Sequence, residues 1–173
     1  PCNQNQSDVR PAEDLEASDQ RVFIIDGLNL AYWCGSPPAL RIPLSLLASL
    51  LEAGHAARAI FDASARYQLR AELGCYEQLL NCSQLAIEVP SGQPADRELI
   101  KQARACGGAI ISRDKFRDHR KKFRKLIDDP ERLLSGRVFN ELLELPALGP
   151  GVPLEPSANK ALARVQDAVD ARE

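Results

Sequence analysis

The sequence predicts an α/β protein with a central parallel sheet of four to five strands flanked by helices. Three observations predict it. Short β-branched runs alternate with segments of helical periodicity, the pattern of βαβ units. Three of those apolar runs end in an aspartate, at Asp26, Asp62 and Asp114. At 173 residues with 45% hydrophobic content, the chain can bury one substantial core.

Taken in order, residues 1–20 are polar and acidic without apolar periodicity, and read as a flexible N-terminal arm. Val22-Phe23-Ile24-Ile25 has no polar break and suits a central strand buried on both faces. Asp26 then stands at its carboxyl end, and Gly27 lets the chain turn. Residues 28–40 carry Tyr32, Trp33, Gly35, Pro37 and Pro38 and read as a loop. A helix follows with Pro43 near its start and Gly54 past its end; its leucines form an apolar side, and Ser45, Ser49 and Glu52 a polar stripe.

Residues 57–61 read as the second strand, ending in Asp62. A helix over 66–80 is expected to bury Leu69, Leu73, Tyr76 and Leu80. Residues 85–89 read as the third strand, and Pro94 opens a helix whose buried face is Leu99, Ile100, Ala103 and Cys106. Gly107-Gly108 ends it, and 109–111 form the fourth strand, running into Ser112-Arg113-Asp114. A basic helical segment follows, broken at Asp129-Pro130. Residues 132–145 read as a short helix and an edge strand near 137–140. Residues 148–153 read as a linker and 157–172 as a weak helix through Leu162, Val165 and Val169. The organisation expected is an arm (1–20), one domain (21–147), and a linker with a C-terminal helix (148–173).

Parallel strands bring their carboxyl ends to one edge, so Asp26, Asp62 and Asp114 are expected in one crevice. Asp96 in the first turn of its helix joins that edge, where the helix dipole favours its charge. Asp118, four residues after Asp114, is expected on the same helix face. Carboxylates gathered so closely need a counter-charge, and Mg²⁺ or Mn²⁺ suits an all-oxygen set. The bland alternative is that each acid caps a turn. Ser112 stands beside Asp114 as a supporting hydroxyl.

The second signal is cationic: Arg113, Arg117, Arg120 and Arg124 recur at helical spacing, with Lys121 beside them. One cationic face beginning beside Asp114 suits phosphate contacts, against the bland reading of a solvated helix side. Tyr32, Trp33 and Tyr67 are stacking candidates for bases. His55 reads as a turn residue, and His119 lies among arginines.

A net charge of -2 excludes a histone-like protein. No apolar run reaches membrane-spanning length, and no signal-peptide pattern is present. Five scattered cysteines without a CxxC pair argue against a zinc site and for a reducing, cytoplasmic setting. The absence of Met, with Pro1 leading, reads as a processed chain or a fragment. GxSxG, Walker A, GxGxxG and DxDxT patterns are absent.

The order of motifs IIDGLN (24–29), IFDAS (60–64), ADREL (95–99) and ISRDKFRD (111–118) resembles the NYN branch of PIN-like ribonucleases. The resemblance is to the Regnase-type endoribonuclease domain and covers residues 21–147. It implies a Rossmann-like PIN fold and divalent-metal-dependent RNA hydrolysis leaving 5′-phosphate and 3′-hydroxyl ends. It makes Asp26, Asp96, Asp114 and Asp118 the metal-site acids, with Asn29 holding water or a neighbouring carboxylate and Arg66 on the RNA. The Regnase-like motif has two adjacent acids where this chain has Ala95-Asp96, which puts metal affinity in question or leaves Asp62 to compensate. The CCCH zinc finger that accompanies that domain has no counterpart in this sequence. The expected partner is RNA in single-stranded or loop regions, and a homo-oligomer is compatible. The alternatives are a catalytically silent RNA-binding module and a protein-interaction domain using the C-terminal helix.

Overall fold

The computed structural model describes residues 20–172. The expected N-terminal arm therefore lies outside the described residues, apart from Gln20. Strand β1 (Val22–Asp26) is the centre of a five-stranded parallel sheet. On one side it pairs β2 (Ala56–Phe61), which pairs β3 (Ala86–Glu88); on the other it pairs β4 (Ala109–Ile111), which pairs β5 (Leu133–Leu134). The order β3-β2-β1-β4-β5 reverses direction between β1 and β4. That reversal opens a crevice outside the carboxyl ends of those two strands.

Side-chain alternation sends each strand's residues into two cores. Phe23, Ile25, Ala59, Phe61 and Ile111 join one, with α2 (Arg41–Glu52) and α7 (Ala158–Asp170). Ile24, Ile60 and Ile110 join the other, with α5 (Ala95–Cys106), Phe116, and Leu126 and Ile127 of α6 (Arg117–Ile127). Both faces are covered, so the strands read as unbroken apolar runs.

Several expectations are corrected. The stretch after Asp26 is not all loop, because Gly27–Ala31 forms a short helix, α1. Gly27 serves close packing: a Cβ there would lie 2.4 Å from the Phe61 ring. The helix expected over 66–80 is three pieces: α3 (Ala65–Gln68), a 3₁₀ turn (Arg70–Glu72) and α4 (Leu73–Leu80). It buries Leu69, Tyr76 and Leu79, while Leu80 and Leu73 are only partly covered. Cys106 is exposed at the last turn of α5, just before Gly107 adopts the left-handed conformation that ends the helix.

The C-terminal third differs most. Residues 132–145 hold no helix; β6 (Arg137–Phe139) and β7 (Leu142–Glu144) form a hairpin, and β8 (Val152–Pro153) in the expected linker completes a three-stranded antiparallel sheet. Helix α7 is firmly docked on α2 through Ala161, Leu162 and Val165. The expected polar stripe of α2 is part of that junction. Ser45 is buried with its Oγ accepting the Glu155 N–H at 2.9 Å, and Arg164 of α7 donates to Ser49 and Glu52. No helix among the described residues is long and apolar enough to cross a membrane.

Candidate active site

Asp26 ends β1 at the reversal point and is 9% exposed. Ser112, fully buried just past β4, donates its hydroxyl to Asp26 Oδ2 at 2.8 Å. The first turn of α1 offers the Asn29 N–H to Asp26 Oδ1 at 3.4 Å. Burial pushes the Asp26 pKa up to about 6, against these two hydrogen bonds, and the nearby charges of Asp96 and Asp114 push it further in the same direction.

Ser112 Oγ also accepts the Asp114 N–H at 3.0 Å, and Asp114 Oδ1 accepts the Phe116 N–H at 2.7 Å. This turn carries Phe116 through a left-handed conformation (φ 46°, ψ 41°) while its ring is buried in the second core. The turn sets where α6 starts. Asp114 therefore precedes the helix, and the expectation that it shares a helix face with Asp118 is corrected. The two acids still meet, because Asp96, Asp114 and Asp118 line one cavity of about 430 Å³ with His119, Arg117 and Lys115. Asp96 comes from the first turn of α5 as expected. Its pKa is raised, by burial first and then by Asp114, with Asp118 and Asp62 adding to the same effect. His119 Nε2 lies 4.0 Å from Asp96 Oδ2 and opposes the shift.

Asp62 does not line that cavity; its Oδ1 accepts the Ser64 N–H at 2.8 Å, the turn-capping geometry. Among the described residues, no group of three or more His, Cys, Asp or Glu side chains is set closely enough to hold a metal ion as it stands. What the acids share is one edge, mutual repulsion and an all-oxygen donor set, which is the chemistry a hard divalent cation takes.

Asn29 is committed to the fold. Its Oδ1 accepts both the Trp33 Nε1–H at 2.9 Å and the Arg113 N–H at 3.0 Å, tying α1 to the β4 edge. Arg113 turns away from α6: it donates to the Gly136 carbonyl at 3.0 Å and lies 4.6 Å over the Trp33 ring. The single helical stripe of four arginines is therefore corrected. Arg120 and Arg124 both grip Asp128, at 2.6 and 3.1 Å, and Lys121 is exposed on the same helix. Arg66 is held by Glu88 and Glu77 at 3.0 and 3.2 Å. Trp33 is buried and Tyr32 donates to Gln68, whereas Tyr67 is 80% exposed. Sequence reasoning did not single out Arg97 and Arg104 for the site, although their charges at i and i+7 on α5 signal one helix side.

Ala95 belongs to the second core and is 9% exposed. A second carboxylate there would lose its water against apolar neighbours, so Asp96 has no adjacent acid; the other carboxylate of that turn, Glu98, accepts from Gln102 instead.

Comparisons with known proteins agree with this architecture. The family described as Zc3h12a-like Ribonuclease NYN domain matches residues 19–146. No curated protein matches the sequence. Two solved structures of the nuclear protein-only RNase P 2 (PRORP2) of Arabidopsis thaliana are similar in fold. One has a TM-score of 0.61 at 15% identity over 83% of this chain and 32% of that one. The other has 0.57 at 15% identity, over 81% and 31%. The chain thus spans about a third of the length of that protein.

Proposed function

Since the chain belongs to the Zc3h12a-like ribonuclease NYN family, we propose that it is a divalent-metal-dependent endoribonuclease acting on single-stranded or looped RNA. The observation that carries this reading is the cavity lined by Asp96, Asp114 and Asp118, with the buried Asp26 near enough that burial first, and then the charges of Asp96 and Asp114, lift its pKa to about 6.

Asp26, Asp96, Asp114 and Asp118 are the residues that would hold Mg²⁺ or Mn²⁺. When bound, the cation supplies Lewis acidity toward the phosphodiester and a water of lowered pKa. The chain's own residues do the rest. Ser112 fixes Asp26 and Asp114 relative to each other through one hydroxyl. Asn29, Trp33 and Arg113 tie α1 to the β4 edge, and the Asn29 N–H meets Asp26 Oδ1 from there. Lys115 and Arg117 line the acid cavity and offer charge to a phosphate entering it. Hydrolysis is read as leaving 5′-phosphate and 3′-hydroxyl ends.

Metal-dependent cleavage of an end-labelled single-stranded RNA tests the proposal, with Asp26→Asn and EDTA as controls. A second reading, an RNA-binding module without turnover, is favoured by Ala95 in place of a second acid. Binding without Mg²⁺- or Mn²⁺-dependent products would select it.

A further inference from the structure

Between α5 and α6 lies a groove of about 980 Å³ lined by Arg97, Lys101, Arg104, Lys122 and Phe123. It shares Asp118 and His119 with the acid-lined cavity, so the two adjoin. Resting on the ribonuclease reading, we propose that this groove holds the single-stranded RNA flanking the scissile phosphate, with Phe123 as a platform for an unstacked base.

The placement of charge supports the groove over the outer side of α6. Among the described residues, Arg97, Arg104 and Lys122 make no ion pair, while Arg120 and Arg124 are both engaged by Asp128. Lys101 has only an exposed contact with Glu98 at 3.4 Å. Cations without a carboxylate partner gain more from a phosphate than cations that must first leave one. Phe123 carries the second argument. It interrupts α6 with a non-helical backbone (φ -124°, ψ 34°), and its ring is only partly buried. Arg104 and Lys122 stand 5.0 and 5.3 Å from the ring centroid, and the His119 ring is 6.4 Å away on the side of the acid cavity. Both cations lie over the ring, so a base that takes the Phe123 face displaces them from it toward the adjoining phosphates, beside the acids. A duplex, with its bases stacked inside, cannot use such a platform.

The test measures binding of a fluorescent single-stranded RNA by anisotropy, without divalent metal, across a salt series. Arg97→Ala/Arg104→Ala/Lys122→Ala should weaken binding at least about tenfold and lower the log–log salt slope by about 2, at about 0.7 per lost contact. The matched variant Arg120→Ala/Arg124→Ala/Lys125→Ala should lose much less. Phe123→Leu, with helicity checked by circular dichroism, should weaken single-stranded RNA several-fold and leave the slope unchanged. Equal affinity and slope in the groove variant overturns the proposal. So does an equal loss in the matched variant, or a duplex or polyglutamate bound as tightly as single-stranded RNA. Wild type that binds through the groove but makes no metal-dependent products removes the enzyme reading and leaves this one standing. Wild type that cleaves while the groove variant binds unchanged removes this one alone.

Discussion

Asp26→Asn should abolish cleavage and at the same time stabilise the protein at neutral pH. The burial that lifts the Asp26 pKa from 3.8 to about 6 penalises the charged carboxylate in the folded state. At about 1.4 kcal/mol per pH unit, that penalty reaches about 3 kcal/mol when the group is ionised. The sign follows from proton counting. Between pH 3.8 and about 6 the folded chain holds a proton that the unfolded chain has lost, so stability falls as pH rises through that window. Asparagine keeps the shape without the charge. Its amide oxygen can take the Asn29 N–H, and its amide nitrogen can donate to Ser112 Oγ. Urea unfolding of wild type and variant from pH 4 to pH 8 reads the difference directly. The variant's advantage should grow from near zero at pH 4 to about 2–3 kcal/mol by pH 7, then stay flat, moving the midpoint by about 1 M or more. A variant less stable than wild type at pH 7, or a gap independent of pH, would refute the account of a strained carboxylate.

Other outcomes follow from the same geometry. Protons and Mn²⁺ should compete at Asp26, so the Mn²⁺ Kd, measured by calorimetry, should weaken toward tenfold per pH unit below about 6; equal affinity at pH 5 and pH 7 contradicts this. Mn²⁺ should raise the melting temperature of wild type more than that of Asp26→Asn, because the charge it offsets is gone in the variant. Gly27→Ala should cost about 1–3 kcal/mol in thermal unfolding, since its Cβ would meet the Phe61 ring at 2.4 Å. Leu162→Ala should cost about 2–5 kcal/mol, because α7 belongs to the main core; a loss near zero would mean that α7 is dispensable.

The sheet and its acidic edge were legible in the sequence because each central strand carries an unbroken apolar run ending in an aspartate or leading to one. Asp96 was legible from its place in a first helical turn. The small antiparallel sheet was not, because β6, β7 and β8 are two or three residues long and too short to show a period. The strength of α7 was hidden because alanines do much of its packing. Helical spacing placed Arg113 on the same face as Arg117, but Phe116's left-handed backbone breaks the helix between them. Spacing alone also could not show that Asp128 engages Arg120 and Arg124, or that Trp33 and Arg113 consume the Asn29 carbonyl. Those are contacts between segments, set by how the crevice closes.

Incubating the protein with an end-labelled single-stranded RNA, with and without Mn²⁺ or Mg²⁺, tests the central claim most directly. The account predicts internal cleavage that requires the cation, disappears in EDTA and in Asp26→Asn, and leaves 5′-phosphate ends. Cleavage that persists in EDTA or in folded Asp26→Asn, or RNA left intact by active-concentration protein with either cation, would contradict it.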